Sequence, residues 1–146
     1  KPIDWAALQL AWANMMRENE LVLVEGVGGV MVPLEDDYMV LDMMCDMGLP
    51  VLIVSQNKLG TINQTLLTIE ACRSRGLEII GIVFNAYQAD GADQAQESNA
   101  RVIEALSQVK VLTVIPYEKE SCVEKGVLAA DVQAAAALVN WDDYIP

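Results

Sequence analysis

The chain has 146 residues, 53% of them hydrophobic but only 5% aromatic, enough for one domain with a layered aliphatic core. Its formal net charge of −12 argues against binding to nucleic acid or to an anionic membrane, where a basic surface is expected. It contains no histidine, which excludes His-dependent triads and His-based metal sites.

Cys45, Cys72 and Cys122 are odd in number, far apart and form no C-x-x-C pair, so they read as reduced thiols of a cytoplasmic protein. No apolar run reaches membrane-spanning length and no secretory leader is visible.

Asp4 is placed to cap a first helix running to about Arg17, because Trp5, Leu8, Trp12 and Met15/Met16 recur at helical spacing. The two tryptophans read as packing residues rather than a ligand platform. Leu21–Val24 is a short β-branched run of the kind found in buried parallel strands. It leads into Glu25-Gly26-Val27-Gly28-Gly29, a carboxylate followed by three glycines in four residues. Two readings stay open there: a turn with a solvated Glu, or a hard oxygen ligand beside a backbone that approaches a phosphate closely.

A looser segment precedes a short helix over Met39–Met47, ended by Gly48. Its methionines are adaptable core filling. Pro50 opens a second strand, Val51–Val54, and a polar turn over 56–60 leads to a helix from Thr61 to about Arg75. A third strand spans Ile79–Phe84 and stops at Asn85. After a loop at Ala89–Asp93, Gln94–Val109 reads as an amphipathic helix with Ala100, Ile103, Leu106 and Val102 as the inward set. A fourth strand, Val111–Ile115, ends at Pro116, and an alanine-rich helix from Asp131 to about Val139 takes Asp131 as its N-cap.

Strands separated by helices, at intervals of roughly thirty residues, indicate a parallel sheet of right-handed βαβ units in a single doubly wound α/β domain, 1–146. In such a sheet the polar strand ends, at Glu25-Gly26, Ser55-Gln56-Asn57, Asn85 and Pro116-Tyr117, share one rim, where ligands bind. Gly60, Thr61, Ile62 and Asn63 form a helix start whose backbone N–H groups suit a carboxylate or phosphate, although an ordinary Thr cap also accounts for it. Asn85 offers the amide pattern that pairs with an adenine edge, or simply closes its strand. No G-x-x-x-x-G-K-[ST] loop occurs in these residues. Gly26–Met31 also fails the dinucleotide fingerprint, since Met31 stands where the last Gly is needed.

In order, Lys1-Pro2-Ile3-Asp4, Leu23-Val24-Glu25-Gly26-Val27-Gly28-Gly29, Val32-Pro33-Leu34, Gly48-Leu49-Pro50-Val51, Lys58-Leu59-Gly60-Thr61-Ile62-Asn63, Leu66-Leu67-Thr68, Gly81-Ile82-Val83-Phe84-Asn85 and Ile115-Pro116 resemble the C-terminal two-thirds of a dethiobiotin synthetase. The resemblance implies a P-loop-NTPase-like (Rossmann-like) doubly wound parallel sheet, incomplete here, with about four strands and flanking helices. It implies an ATP-dependent cyclo-ligase of biotin biosynthesis that uses ATP, Mg²⁺ and CO₂ to close a ureido ring on 7,8-diaminopelargonate. By the same resemblance Glu25 is a Mg²⁺ ligand, and Gly26, Val27 and Gly28 line the phosphates. Asn85, Ala86, Pro116, Tyr117 and Glu118 meet the nucleotide base. The start at Gly60–Asn63 holds the substrate's tail carboxylate across a homodimer interface.

The family's Walker A loop and catalytic Lys are expected before Lys1, so no catalytic residue is assigned in this chain and the isolated chain is expected to be inactive. Its Met- and Val-rich surfaces are expected to be covered in an oligomer. The alternative is a non-catalytic dimerisation or ligand-sensing domain of the same fold, as in phosphotransacetylase N-terminal regions or corrinoid amidotransferases.

Overall fold

A computed structural model describes residues 3–87 and 94–144. The chain divides into two compact units, 1–47 and 48–146.

The first unit begins with α1, Trp5–Glu18, where the Asp4 carboxylate accepts the Ala7 N–H at 3.0 Å as an N-cap. A two-stranded antiparallel hairpin follows, β1 (Pro33–Glu35) and β2 (Tyr38–Met39), where the sequence predicts a looser segment and, at Met39, the first residue of the next helix. Asp36 in the tight turn takes φ 38°, a left-handed value that Asp tolerates better than most residues. Helix α2, Val40–Met47, starts directly from the hairpin. Its Asp42 carboxylate accepts the Met39 N–H at 2.9 Å, the returning half of a capping box.

The second unit holds a three-stranded parallel sheet of order β3-β4-β5: β3 Val51–Gln56, β4 Ile79–Tyr87 and β5 Val111–Pro116. The connections are α3, Thr61–Ser74, and α4, Gln94–Ser107, and β5 is followed later by α5, Ala130–Ala137. Ile53, Ile82 and Phe84 of the sheet meet Ile69 of α3 and Ile103 of α4 in one buried cluster with Val109. That cluster is the apolar core expected where βαβ crossovers lay helices on a sheet. Polar ties fix the periphery: Arg73 donates to the Ser107 carbonyl at 2.6 Å, and Thr113 Oγ1 donates to the Ala135 carbonyl at 2.8 Å.

The α/β class and the parallel sheet agree with the sequence reading, and the strands at 51, 79 and 111 begin where expected. Four details differ. Leu21–Val24 forms no strand, and Leu23 is 85% exposed; a β-branched run becomes a strand only when a neighbour completes its ladder, and none among the described residues does. Strand β4 runs past Asn85 to Tyr87, because its pairing continues from Gln56 on one side to Pro116 on the other. Leu106 is 66% exposed rather than inward, and Ser107 is buried in its place. Ser107 accepts the Val109 N–H and donates to the Ile103 carbonyl, so the buried stripe ends on a polar group that closes the helix. Helix α5 starts one residue earlier than expected, with Ala129 at the N-cap and Asp131 in the first turn, where a carboxylate still favours the helix dipole. The loop expected at Ala89–Asp93 lies outside the described residues.

Candidate functional site

Three of the four strand ends expected to share a rim belong to the parallel sheet of the second unit. Gln56 pairs with Asn85 and Tyr87 with Pro116, so Asn57, Asn85, Ala86, Pro116, Tyr117 and Glu118 lie at the carboxyl edge of the sheet, the edge at which open α/β folds bind ligands. Tyr117 is about half exposed and Glu118 half-buried. The Asn85 carbonyl accepts the Asn57 N–H at 3.4 Å, which joins the ends of β3 and β4.

The β3–α3 connection is built as a left-handed entry. Gly60 at the N-cap has φ 90° and ψ −9°, and a Cβ added there would meet nothing within 4 Å. An L-residue is disfavoured here by its backbone rather than by crowding. The Thr61 N–H donates to the Lys58 carbonyl at 3.1 Å, and the first regular helical bond is Gln64 N–H to Gly60 carbonyl at 3.1 Å. The N–H groups of Ile62 and Asn63 therefore have no backbone acceptor among the described residues, the condition that makes a helix start receptive to an anion. Asn63 is exposed beside them.

Thr61 does not cap this helix. It is buried, and its hydroxyl lies 2.7 Å from Ser55 Oγ, which is itself 2.8 Å from Thr65 Oγ1. This hydroxyl trio ties the end of β3 to the first turn of α3. Next to it, buried Asn99 of α4 donates through Nδ2 to Asn57 Oδ1 at 2.8 Å. The sequence reading placed Ser55 at a polar strand end but missed its partner Thr65 and the role of Asn99. A hydroxyl or an amide within a helix carries no distinguishing local pattern, and only the fold brings these groups together.

Glu25, Gly26, Val27 and Gly28 belong to the first unit, and all four are exposed. Gly28 has φ 71°, and a Cβ there would stand 3.0 Å from Val32 Cγ2, so both backbone and space call for glycine. The loop is anchored below: the Val32 N–H donates to the Gly29 carbonyl, and the carbonyls of Val30 and Val32 accept the N–H groups of Leu41 and Val40. Among the described residues no three Cys, Asp or Glu side chains gather as a metal cage. Glu25 thus offers a single carboxylate, a donor set that suits Mg²⁺ only where phosphates and water supply the other oxygens.

Parallel strands joined by helices, with a glycine-entered helix start after the first of them, define an α/β domain of the P-loop-NTPase-like class. Residues 3–124 match the AAA domain family, and the chain belongs to it. More narrowly, it is similar to ATP-dependent dethiobiotin synthetases, as its ordered motifs suggest. It is 34% identical to that of Thermodesulfovibrio yellowstonii over 93% of this chain and 61% of that protein. It is 37% identical to the Bacillus velezensis protein over 80% of this chain and 49% of that one, and 40% identical to the Bacillus subtilis protein over 72% and 45%. The chain thus spans about half the length of the curated relatives it matches. No helix among the described residues is long and apolar enough to cross a membrane.

Proposed function

We propose that these residues are the substrate-tail and nucleotide-base part of a dethiobiotin synthetase, an ATP- and Mg²⁺-dependent ligase that carboxylates 7,8-diaminopelargonate with CO₂ and closes the ureido ring. The observation that carries this reading is the open helix start at Gly60–Asn63, set on the same sheet edge as Asn85 and Pro116–Tyr117. Similarity to enzymes of that name over most of the chain supports it.

In this reading the N–H groups of Ile62 and Asn63 bind the tail carboxylate, with Gly60 and Thr61 shaping the approach. Asn85 hydrogen-bonds the adenine edge, and Ala86, Pro116, Tyr117 and Glu118 complete the base site. Gly26, Val27 and Gly28 let the backbone approach the phosphates, and Glu25 contributes one ligand to Mg²⁺, which neutralises charge on the transferring phosphoryl group. One substrate amine becomes a carbamate, takes the γ-phosphoryl group as a mixed anhydride, and the second amine displaces phosphate. Such chemistry is mostly positioning and charge neutralisation and requires no protein nucleophile. The acting form in this reading is a cytoplasmic homodimer whose partner copy supplies the tail site. The 146 residues alone hold no G-x-x-x-x-G-K-[ST] loop and are expected to show no turnover.

The test is ATP-dependent fixation of labelled CO₂ by the product of the whole reading frame that contains these residues, set beside the 146-residue chain. Ring-closed product is expected from the first and none from the second. Absence of product from both removes the synthetase reading, and product from the short chain removes the claim that it is inactive.

A further inference from the structure

The first unit contains an open cavity of about 680 Å³ that none of the residues assigned above lines. Three aromatic rings, Trp5, Trp12 and Tyr38, border it, and so do four carboxylates, Glu35, Asp36, Asp37 and Asp46. No Lys or Arg is among the lining residues.

The walls are preorganised. Trp5 and Tyr38 meet edge to face with centroids 4.6 Å apart and planes at 69°. Trp5 Nε1 donates to Glu35 Oε2 at 2.7 Å, and the Ile3 N–H donates to Glu35 Oε1 at 3.3 Å. The Tyr38 hydroxyl donates to Asp46 Oδ2 at 2.7 Å. Two of the four carboxylates therefore fix the rings, while Asp36 and Asp37 stand exposed in the hairpin turn.

The chemistry selects a ligand class. Four carboxylates around one cavity, with no cation among the lining side chains, are complementary to positive charge. They do not converge as a metal-binding cluster, so they lack the multidentate cage that a hard divalent ion requires. Aromatic faces, by contrast, attract weakly hydrated organic cations. Leu8, Met43 and Met47, also in the lining, offer apolar surface that a metal ion would not use. The volume falls within the range of small-molecule sites, roughly 300–1,000 Å³. We propose that this cavity binds an organic ammonium ion carrying an apolar body, with the aromatic rings against the cationic head and Asp36 and Asp37 supplying the countercharge. The assignment is independent of the synthetase reading, because no residue is shared.

The experiment uses the full chain labelled with ¹⁵N and titrated with hexyltrimethylammonium, following the indole N–H signals. Trp141 lies in the other unit and serves as internal reference. Saturable shifts are expected at Trp5 and Trp12 and not at Trp141, with 1-hexanol binding at least about tenfold more weakly. The Asp36→Asn/Asp37→Asn variant, at exposed positions and with Asn tolerant of the left-handed turn, is expected to weaken binding by about fivefold or more. Equal affinity for hexanol, no saturation by about 10 mM ligand, or the same shifts produced by MgCl₂ alone would each overturn the proposal.

Discussion

Buried polar side chains tie together the carboxyl edge of this molecule's parallel sheet. Asn99 and Asn57 are both buried and joined at 2.8 Å, a bond that links the start of α4 to the loop after β3. Asn99→Leu removes the donor and leaves Asn57 Oδ1 without it, a change that costs about 1–3 kcal/mol in buried sites. A lower urea midpoint with unchanged slope is the expected reading, and an unchanged midpoint would show that the bond contributes nothing. Tyr38 offers a second residue-scale check. Burial, with the Asp46 carboxylate adding to it, pushes its phenol up to about 12 from 10.0. The folded state therefore holds this proton longer than the unfolded chain does. The stability it contributes is fully present below pH 10 and is lost as pH climbs through about 12. Asp46→Asn should move the Tyr38 ionisation downward in a phenolate absorbance titration, with Tyr38→Phe identifying its share of the signal.

At the scale of elements, periodicity and capping residues determine most boundaries, while burial depends on partners that a local pattern does not contain. Asp4 and the i, i+3, i+4 spacing of Trp5, Leu8 and Trp12 place α1 to within a residue, since the cap bond is local. The run Leu21–Val24 has the same strand-like chemistry as Val51–Val54, yet only the latter finds a neighbour to pair with. Leu106 fits the helical stripe by spacing, yet Ser107 takes the buried position one turn after Ile103 and Leu106 is exposed. Close packing between elements is equally invisible locally. A Cβ on Gly81 of β4 would stand 2.6–2.9 Å from Cγ, Cδ1 and Cδ2 of Leu112 on β5, so the whole branched end of that leucine must move. Gly81→Ala should destabilise by about 1–3 kcal/mol through overpacking. The pair Gly81→Ala/Leu112→Ala should lose less than the sum of its parts. Strict additivity in urea unfolding would contradict the contact.

For the whole molecule, the α/β class and the order of strands and helices in 48–146 were legible because strand, turn and helix starts recur in order, each with its own local chemistry. The division into two units was not, because it depends on which apolar residues find each other. The buried cluster of Ile53, Ile69, Ile82, Phe84, Ile103 and Val109 lies wholly within 48–146. Among the described hydrophobic residues of 1–47, only Val40 and Leu41 are buried, and α1 has no buried residue. A chain of that length is near the lower limit for independent folding without a disulfide or metal, about 40 residues, and Cys45, the one cysteine of this segment, forms no disulfide. Segment 48–146 by itself is therefore expected to unfold cooperatively in urea, with a slope of about 1–3 kcal/mol/M, whereas segment 1–47 by itself shows no cooperative transition. In the intact chain the amides of β4 should exchange with solvent only through global unfolding, and those of α1 through a lower-energy local opening. Equal protection of α1 and β4 would mean that the two units unfold as one, and the separate core of 48–146 would then not be the source of the chain's stability.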